Sequence, residues 1–263
     1  MKLSGQNILV TGGSRGIGAA ICRAVAEQGA RVCLHYARND QAAREVLASL
    51  TGTGHEMIQT DLTEASAGRV LFKGAVDLMG HIDTVVNNAG IMPEAGVEHD
   101  IDQWNRVWQD VMQANVMAVG DICREAILHF KNPDFKSPDF KSPGRKGGRI
   151  VNIASRAAYR GDDPNYMHYA ASKSAVVALT KSIARGFGRD NIIAVNVAPG
   201  WVESDMSKGF IDEYGLEAAT KDIPLGEISP PEEVGELVAY LCSPTARQIT
   251  GATFDINGAS YVR

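Results

Sequence analysis

Three polar side chains in the second half of the chain have the types and the spacing of an acid–base site. Tyr169 and Lys173 lie four residues apart in a segment of helical character, so they share one helix face, and Ser155 ends an apolar run upstream of them. An ammonium group beside a phenol lowers the phenol's pKa from about 10 toward neutrality, which makes the tyrosine a usable acid or base. Ser155 can donate a hydrogen bond to a substrate oxygen. The set therefore predicts proton exchange with that oxygen.

Two neighbouring side chains are rivals for the acid–base role. Tyr166 is a second phenol, but the residue four positions after it is Ala170, so it lacks a paired lysine. His168 adjoins Tyr169, and adjacent residues of a helix point apart. We therefore expect Tyr166 to line the substrate pocket or to pack, and we assign His168 no catalytic role.

A glycine-rich turn near the start of the chain predicts a site for a phosphate-bearing ligand. The apolar run Ile8–Val10 leads into TGGSRGIG at 11–18, which an alanine-rich helix follows. Glycines permit a tight strand-to-helix turn and close approach of the backbone, and a helix N-terminus offers unpaired N–H groups. The spacing differs from GxGxxG and from a P-loop, so the turn alone is also compatible with a purely structural role. The expected ligand contacts are Gly12, Ser14, Arg15, Gly16, Ile17 and Gly18.

The elements that must position these groups alternate between short apolar runs and longer helical segments. The runs, which are typical of strands buried on both faces, are Ile8–Val10, Val32–His35, Met57–Gln59, Thr84–Val86, Ile150–Ile153, Ile192–Val197 and Thr253–Ile256. The helical segments include Gly18–Gln28, Asp40–Leu50, Glu64–Met79 and Ser172–Gly186. Seven alternations predict an α/β fold, a doubly wound Rossmann-like parallel sheet, in preference to a TIM barrel, which needs eight units. Because no linker or shift in composition divides the chain, we expect residues 1–263 to form a single domain.

The composition excludes several classes of function. The chain has 263 residues, of which 44% are hydrophobic and 22% charged, and a formal net charge of −5. These values exclude a disordered chain and argue against a protein that neutralises many nucleic-acid phosphates. No apolar run approaches the roughly 18 residues that span a bilayer, the N-terminus does not resemble a signal peptide, and the four cysteines and six histidines are dispersed. We expect a cytoplasmic protein with reduced thiols, no metal site, and no membrane or nucleic-acid partner.

One segment interrupts the alternation of strands and helices. Residues 132–148 read NPDFKSPDFKSPGRKGG, in which DFKSP occurs twice, and prolines at 133, 138 and 143 forbid a continuous helix. We predict an exposed loop inserted before the strand at Ile150. From Lys131 to Arg149 the chain carries six basic and two acidic residues. The loop is either a tolerated surface duplication or a basic contact for an acidic carrier or partner.

Motifs spread over the whole chain resemble the short-chain dehydrogenase/reductase family. They occur in that family's order, and they are TGGSRGIG at 11–18, Asp61-Leu62, NNAG at 87–90, Asn115, Ser155, YAASK at 169–173 and Pro199-Gly200. The resemblance implies hydride exchange between a nicotinamide cofactor and a carbonyl or secondary alcohol. The pattern is most similar to the 3-oxoacyl-[acyl-carrier-protein] reductase branch, which shares its motifs with sugar and polyol dehydrogenases.

The resemblance also implies a role for each matched residue. Tyr169 would exchange the proton with the substrate oxygen, and Ser155 would orient and polarise that oxygen. Lys173 would hold the nicotinamide ribose, and Asn115 would anchor a water that relays protons to it. Trp108, rather than Trp104, has the family's usual tryptophan spacing to Asn115, which indicates about one extra helical turn before that asparagine.

Further matched positions imply the remaining cofactor contacts. Asp61 and Leu62 would meet the adenine, Asn88, Ala89 and Gly90 the adenosine side, and Pro199, Gly200 and Val202 the carboxamide. The end of the second strand, His35-Tyr36-Ala37-Arg38, has no acidic residue before Asp40. A carboxylate there would favour NAD through its ribose 2′-OH, whereas Arg38 and Arg15 would clamp a 2′-phosphate. We therefore expect NADP rather than NAD, unless both arginines are simply solvated.

Substrate and assembly are the least determined features. Residues 201–228 follow the Pro-Gly turn and would form the lid over a small carbonyl or alcohol, whether a ketone, a sugar or an acyl thioester. Arg124, Arg185 and Arg189, with the basic insert, are candidates to receive an acidic carrier. Family members commonly form dimers or tetramers, so we expect a homo-oligomer. A catalytically silent NADP-binding regulator is the alternative of a different class, but it has no need of Ser155, Tyr169 and Lys173 together.

Overall fold

The apolar runs form one parallel sheet, which confirms the predicted fold class. The computed structural model describes residues 2–132 and 147–263, and within them seven strands pair in the order β3-β2-β1-β4-β5-β6-β7. The strands are β1 (Asn7–Val10), β2 (Arg31–Tyr36), β3 (Glu56–Gln59), β4 (Thr84–Asn87), β5 (Gly148–Ile153), β6 (Ile192–Pro199) and β7 (Thr253–Ile256). Every neighbouring pair is parallel, so the carboxyl ends of all seven strands meet at one edge. The strand order reverses between β1 and β4, where open α/β sheets bind ligands.

Helices connect the strands and pack on both faces of the sheet. In the described ranges they are α1 (Gly16–Glu27), α2 (Asp40–Ser49), α3 (Ala67–Met79), α4 (Ile101–Met112), α5 (Ala118–Lys131), α6 (Ala157–Arg160), α7 (Met167–Phe187), α8 (Asp205–Tyr214), α9 (Leu216–Thr220) and α10 (Pro231–Cys242). Helix α7 begins at Met167, two residues before Tyr169, which was predicted to open it, and five before the apolar segment Ser172–Gly186. Helix α3 begins after the predicted Glu64, because Ser66 has a φ of 64° and this left-handed conformation cannot continue a helix.

Residues of each strand alternate between two apolar cores, one on each face of the sheet. On one face Ile8 and Val10 pack with residues of α1, α2 and α10. On the other face Leu9 packs with residues of α3, α5 and α7. Because both faces of β1 are covered, the strand is apolar throughout and does not alternate with polar residues.

A row of polar side chains crosses four neighbouring strands, from the last residue of β4 to the first residue of β7. Asn87 of β4, Asn152 of β5, Asn196 of β6 and Thr253 of β7 are register partners, each beside the next. The Asn87 amide donates to Asn152 Oδ1 at 2.8 Å, and Asn196 donates to Thr253 Oγ1 at 3.3 Å. Between them the Thr180 hydroxyl of α7 lies 2.7 Å from both Asn152 Nδ2 and Asn196 Oδ1. This polar row fixes the relative heights of the loops that follow β4, β5 and β6.

Replacing the central member of the polar row should destabilise the fold. Asn152→Leu removes one hydrogen-bond partner from the Asn87 amide and one from the Thr180 hydroxyl. A buried polar group left unsatisfied costs about 1–3 kcal/mol. We expect urea denaturation to show a free energy of unfolding lower by about 2–3 kcal/mol. Asn105→Leu, the same change on the exposed side of α4, is the control. Equal stability of the two variants would show that the row contributes nothing.

Two predictions concern the surface of the chain. No helix in the ranges 2–132 and 147–263 is long and apolar enough to cross a membrane. Both DFKSP copies, at 134–143, lie outside the described residues, so the inserted loop of 132–148 stays a prediction. The structure gives its boundaries, because α5 ends at Lys131 and β5 begins at Gly148.

Candidate active site

A cavity of about 980 Å³ opens at the carboxyl edge of the sheet, among the loops that follow β1, β2, β4, β5 and β6. Every residue predicted for the site, except Asn115, lies in its lining. The cavity thus joins two groups that are more than 130 residues apart in sequence, the glycine-rich turn and the pair Tyr169 and Lys173. This position is the binding crevice expected where the strand order of a doubly wound sheet reverses.

The glycine-rich turn has no space for side chains at two of its positions. Gly12 has a φ of 66°, and a Cβ there would lie 3.0 Å from the Cα of Ala89. A Cβ on Gly18 would lie 2.0 Å from the carbonyl oxygen of Gly12. Only glycine fits both places, so the turn brings its backbone to the cavity and directs the start of α1 into it.

The loop after β4 holds the glycine-rich turn in place. The Thr11 hydroxyl accepts hydrogen bonds from the backbone N–H groups of Asn88 and Ala89, both at 2.9 Å. The Asn88 side chain donates to the carbonyls of Thr11 at 2.9 Å and Gly12 at 3.2 Å. Asn88, predicted to meet the adenosine side of the cofactor, thus connects the carboxyl ends of β1 and β4.

The hydroxyl of Ser155 is a neighbour of the Tyr169 phenol. Ser155 follows β5, and Tyr169 lies in the first turn of α7, which packs against β5 and β6. Burial raises the pKa of the Tyr169 phenol to about 12, and the hydrogen bond from Ser155 acts in the opposite direction. The phenol is therefore protonated at neutral pH and can donate its proton.

Lys173 is buried beside Tyr169 on the same face of α7. Its Nζ lies 5.6 Å from the centroid of the Tyr169 ring and donates to the Ile153 carbonyl at 2.9 Å. Desolvation lowers the pKa of Lys173 to about 8. The sequence pattern predicts a phenol pKa lowered by this lysine, and the structure shows the opposite direction. The reason is that burial, which penalises the charged forms of both groups, outweighs their attraction.

Asn115 lies behind the cavity at a break in the helix that connects β4 and β5. Residues Gln113–Met117 form a π-helical turn between α4 and α5, an irregularity that often marks functional sites. The Asn115 side chain accepts from the Ile91 N–H at 2.9 Å and donates to the Ile91 carbonyl at 3.0 Å and to Ser172 Oγ at 3.1 Å. The Asn115 side chain thus connects the loop after β4 to α7. Helix α4 begins at Ile101, so Trp108 lies almost two turns inside it.

Gly90 leaves a gap between Asn115 and Lys173. A Cβ at residue 90 would lie 3.2 Å from Lys173 Nζ and 3.3 Å from Asn115 Oδ1. Both polar atoms therefore border the same small space beside the cavity. Any side chain at this position would separate them from it.

Arg38 and Asp61 face each other where the cavity passes the ends of β2 and β3. The Arg38 guanidinium is 84% exposed and lies 3.5 Å from a carboxylate oxygen of Asp61. Asp61 also accepts from the hydroxyl and the N–H of Thr63, which together lower its pKa. The guanidinium is held loosely on the surface, within reach of the lining formed by Arg15 and Ala37.

Comparison with known proteins decides the family. Residues 12–259 match a family model described as enoyl-(acyl carrier protein) reductase. The chain is 32% identical over 262 residues to a 3-oxoacyl-[acyl-carrier-protein] reductase of Vibrio cholerae, and the match covers 100% of both. A short-chain dehydrogenase/reductase of Serratia marcescens has the same fold, with a TM-score of 0.83, 34% identity and 100% coverage of both chains. The chain belongs to the short-chain dehydrogenase/reductase family.

A second solved member of the family is informative about the cofactor. The short-chain dehydrogenase of Burkholderia cenocepacia, solved in complex with NADP, has a TM-score of 0.84 and 30% identity to this chain and covers 99% of each. As a short-chain dehydrogenase/reductase, the protein is an oxidoreductase that binds NAD(P) and acts on a CH–OH or carbonyl group.

The two rivals of Tyr169 in this short-chain dehydrogenase/reductase lie outside the cavity. His168 is fully buried, with its Nε2 2.8 Å from the Pro93 carbonyl, and packs against Trp108 with 5.9 Å between ring centroids. Tyr166 has its ring centroid 6.5 Å from that of His168. Both therefore belong to an aromatic cluster beside the site, and the packing role predicted as one option for Tyr166 is the one observed.

Sequence reasoning missed one residue of the dehydrogenase/reductase site. His35, the fifth residue of β2, lines the cavity and contacts the glycine-rich turn. The available signal was a histidine inside an otherwise apolar run, three residues before Arg38. A polar residue at the carboxyl end of a buried strand needs a hydrogen-bonding partner, and that partner lies at the edge where the ligand binds.

Proposed function

We propose that the protein is an NADP-dependent carbonyl reductase. The observation that carries the proposal is the assembly of Ser155, Tyr169 and Lys173 in one cavity with the glycine-rich turn. The nicotinamide, when bound, supplies the hydride, and the residues of the chain manage the proton. The turn and the start of α1 suit the pyrophosphate, and the loop after β6, from Pro199, suits the nicotinamide end.

Tyr169 is the general acid in this proposal. Its high pKa keeps the phenol protonated at neutral pH, which favours reduction of a carbonyl over oxidation of an alcohol. Ser155 donates to the same oxygen and orients it. Lys173 holds the ribose and keeps a positive charge beside the phenol as the proton leaves.

The gap at Gly90 supports a water between Asn115 and Lys173. Lys173 Nζ and Asn115 Oδ1 both border this space, and a water there would have a donor and an acceptor. In this proposal Asn115 acts through position, because its amide also ties α7 to the loop after β4.

The charge at the end of β2 supports NADP rather than NAD. Residues 35–39 contain no carboxylate, and Arg38 and Arg15 both line the cavity there. The solved relative from Burkholderia cenocepacia binds NADP. Arg38 exchanges Asp61 for a 2′-phosphate readily, because the guanidinium is exposed and exposed ion pairs are weak.

Arg38→Asp should reverse the cofactor preference. The variant loses a charge-assisted contact to the 2′-phosphate and gains a carboxylate that can accept from a ribose 2′-OH. We expect the ratio of kcat/KM for NADPH over NADH to fall by about 100-fold. The lost contact and the new carboxylate each contribute about 1.4 kcal/mol, and 1.4 kcal/mol corresponds to a factor of about 10. Arg44→Asp, the same charge reversal on α2 outside the cavity, controls for long-range electrostatics. An unchanged ratio in Arg38→Asp would remove this arginine from the 2′-phosphate site.

Reduction of 3-oxoacyl thioesters is the second candidate function. It is favoured by the full-length match to a 3-oxoacyl-[acyl-carrier-protein] reductase. Arg185 and Arg189 are exposed and available for an acidic carrier, whereas Arg124 is paired with Glu125. The test is a panel of 3-oxoacyl and enoyl thioesters, sugars and simple ketones with NADPH and NADH. Consumption of NADPH with ketoacyl thioesters alone would assign this substrate, and tight NADPH binding without turnover would favour a regulator.

Residues 201–228 are proposed as the substrate lid. Trp201 and Ser204 line the cavity, and a Cβ on Gly16 would lie 3.5 Å from the Cβ of Ser204. Asp222 near the end of this segment lies 3.4 Å from Arg156, the residue after Ser155. The segment therefore spans from the glycine-rich turn to the catalytic serine. We also propose a homodimer or homotetramer, which light scattering on the purified protein would distinguish from a monomer.

A further inference from the structure

His35 makes two hydrogen bonds that join three segments of the cavity wall. Its Nδ1 accepts from the backbone N–H of Gly12 at 3.1 Å, and its Nε2 lies 2.8 Å from the Thr60 carbonyl. A carbonyl only accepts, so Nε2 carries the hydrogen and the ring is the neutral Nε2–H tautomer. The backbone of His35 adds a third contact, because its carbonyl accepts from the Gly13 N–H at 2.8 Å.

The surroundings of His35 keep the ring in this form. The residue is 1% exposed, and burial lowers its pKa. A protonated ring would turn a second N–H toward the N–H of Gly12 and break the contact. Gly12 has a φ of 66°, a conformation that local sequence does not enforce, since glycine adopts both signs of φ with similar ease. The side chain of His35 constrains the N–H of Gly12 from the β2 side, while Asn88 holds the Gly12 carbonyl from the β4 side.

We propose that His35 is a positioning residue for the dinucleotide, holding Gly12 of the glycine-rich turn in the conformation that receives the pyrophosphate. The inference rests on the proposed function for the identity of the ligand. His35 touches neither the reacting carbonyl nor the proton path, so its loss raises the dissociation constant of the cofactor and leaves the chemical step unchanged. A turn that is already formed binds more tightly than one that must be ordered on binding.

The chain contains a matched control for this histidine. His55 accepts from the Val32 N–H through Nδ1 at 3.1 Å, and its Nε2 lies 3.1 Å from the Thr51 carbonyl. It thus has the same tautomer and the same kind of contacts, an accepted backbone N–H and a backbone carbonyl, and its N–H partner belongs to β2, the strand of His35. Val32 lies at the amino end of that strand, away from the cavity, and His55 is not part of the cavity lining. Substitutions at His55 therefore remove the same kind of hydrogen bonds at a site that does not contact the turn.

The test compares amides of two lengths at both histidines. Asparagine places its oxygen near the position of Nδ1 and keeps an acceptor for Gly12, whereas glutamine reaches the position of Nε2 and loses it. We expect His35→Gln to weaken NADPH binding about tenfold in fluorescence titrations without carbonyl substrate, and His35→Asn to stay within about twofold of wild type. In both, kcat at saturating NADPH stays within about twofold. His55→Gln and His55→Asn bind NADPH as the wild type does.

Several results would overturn the inference. They are an unchanged dissociation constant in His35→Gln, equal weakening in His35→Gln and His55→Gln, and failure of His35→Asn to bind better than His35→Gln. If His35→Gln does not fold, the wild-type protein still decides, because nitrogen NMR of its ring must show a neutral Nε2–H tautomer at pH 7, and any other form refutes the proposal. Binding is measured without turnover, so a protein that binds NADPH but reduces no carbonyl contradicts the proposed function alone.

Discussion

Tyr169→Phe should lower the rate of NADPH-dependent carbonyl reduction by about a thousandfold. The variant keeps the ring and its packing but removes the hydroxyl that neighbours Ser155 and that, in the proposed mechanism, donates the proton. General acid catalysis contributes about 10²–10⁴ in rate, which sets the size of the effect. Single-turnover rates at saturating NADPH measure it without interference from product release.

The cofactor should still bind to the Tyr169→Phe variant with an affinity within severalfold of wild type. The glycine-rich turn, Asn88 and Lys173 are all unchanged, and they form most of the dinucleotide side of the cavity. Tyr166→Phe is the matched control, because it makes the same substitution three residues away and outside the cavity lining. A full rate in Tyr169→Phe would eliminate the proposed mechanism, and an equal loss in Tyr166→Phe would point to general disruption of α7.

Lys173→Met should give a protein that is more stable and nearly inactive. The folded-state pKa of Lys173 is lowered from 10.5 to about 8, so at pH 7 the fold carries a buried ammonium group that the unfolded chain would hold in water. Folding stability is therefore lower below pH 8 than above pH 10.5, where the lysine is neutral in both states. Methionine removes this penalty, and we expect the free energy of unfolding at pH 7 to rise by about 1–3 kcal/mol.

The loss of activity in Lys173→Met follows from the same buried charge. Without the ammonium, neither the ribose nor the phenol has its positive neighbour, and we expect kcat/KM to fall by at least about 100-fold. Urea denaturation and steady-state kinetics on one preparation measure both effects. Lys181→Met, two turns further along α7 and exposed, should change neither quantity. A variant that is destabilised at pH 7 would show that the hydrogen bond from Lys173 to Ile153 outweighs desolvation.

The pH profile of the wild-type enzyme offers a related expectation. As the pH rises through about 8, Lys173 loses its proton, while Tyr169 with a pKa of about 12 keeps its own. The rate should therefore fall above pH 8 because of the lysine and not because of the tyrosine. This assignment follows from burial, which reverses the usual order of the two pKa values: the free tyrosine, at 10.0, titrates below the free lysine, at 10.5, whereas in the fold the lysine titrates first.

The strands and the order of the site residues were predictable because both follow from patterns of residue type and spacing in the sequence. Runs such as Ile8–Val10 are apolar throughout, and this reports burial on both faces of a sheet. The spacing of Tyr169 and Lys173 likewise reports one helix face. Parallel strands then bring their carboxyl ends together, so the cavity follows from topology.

Other features depend on contacts that spacing does not encode. The pKa of Tyr169 is set by the depth of its burial, and the start of α3 by the left-handed φ of Ser66. Asn115 was recognised by its place in the motif order. Its hydrogen bonds to Ile91 and Ser172 depend on its position in a π-helical turn, which no local sequence pattern predicts. The contacts of His35 could not be predicted for the same reason, because its partners Gly12 and Thr60 are more than 20 residues away in either direction, although a histidine inside an apolar strand was a signal that it has partners.

The polar row of Asn87, Asn152, Asn196 and Thr253 has a consequence for how this enzyme can change. Through Thr180 the row connects the strand before Ser155 to the strand before the Pro-Gly turn, so substitutions within the row are penalised whatever substrate is present. Residues 201–228 lie after the last asparagine of the row and carry none of its contacts. New substrate preferences are therefore most accessible to a lineage, or to an engineer, through this segment. A library confined to it should yield altered specificity at little cost in folding.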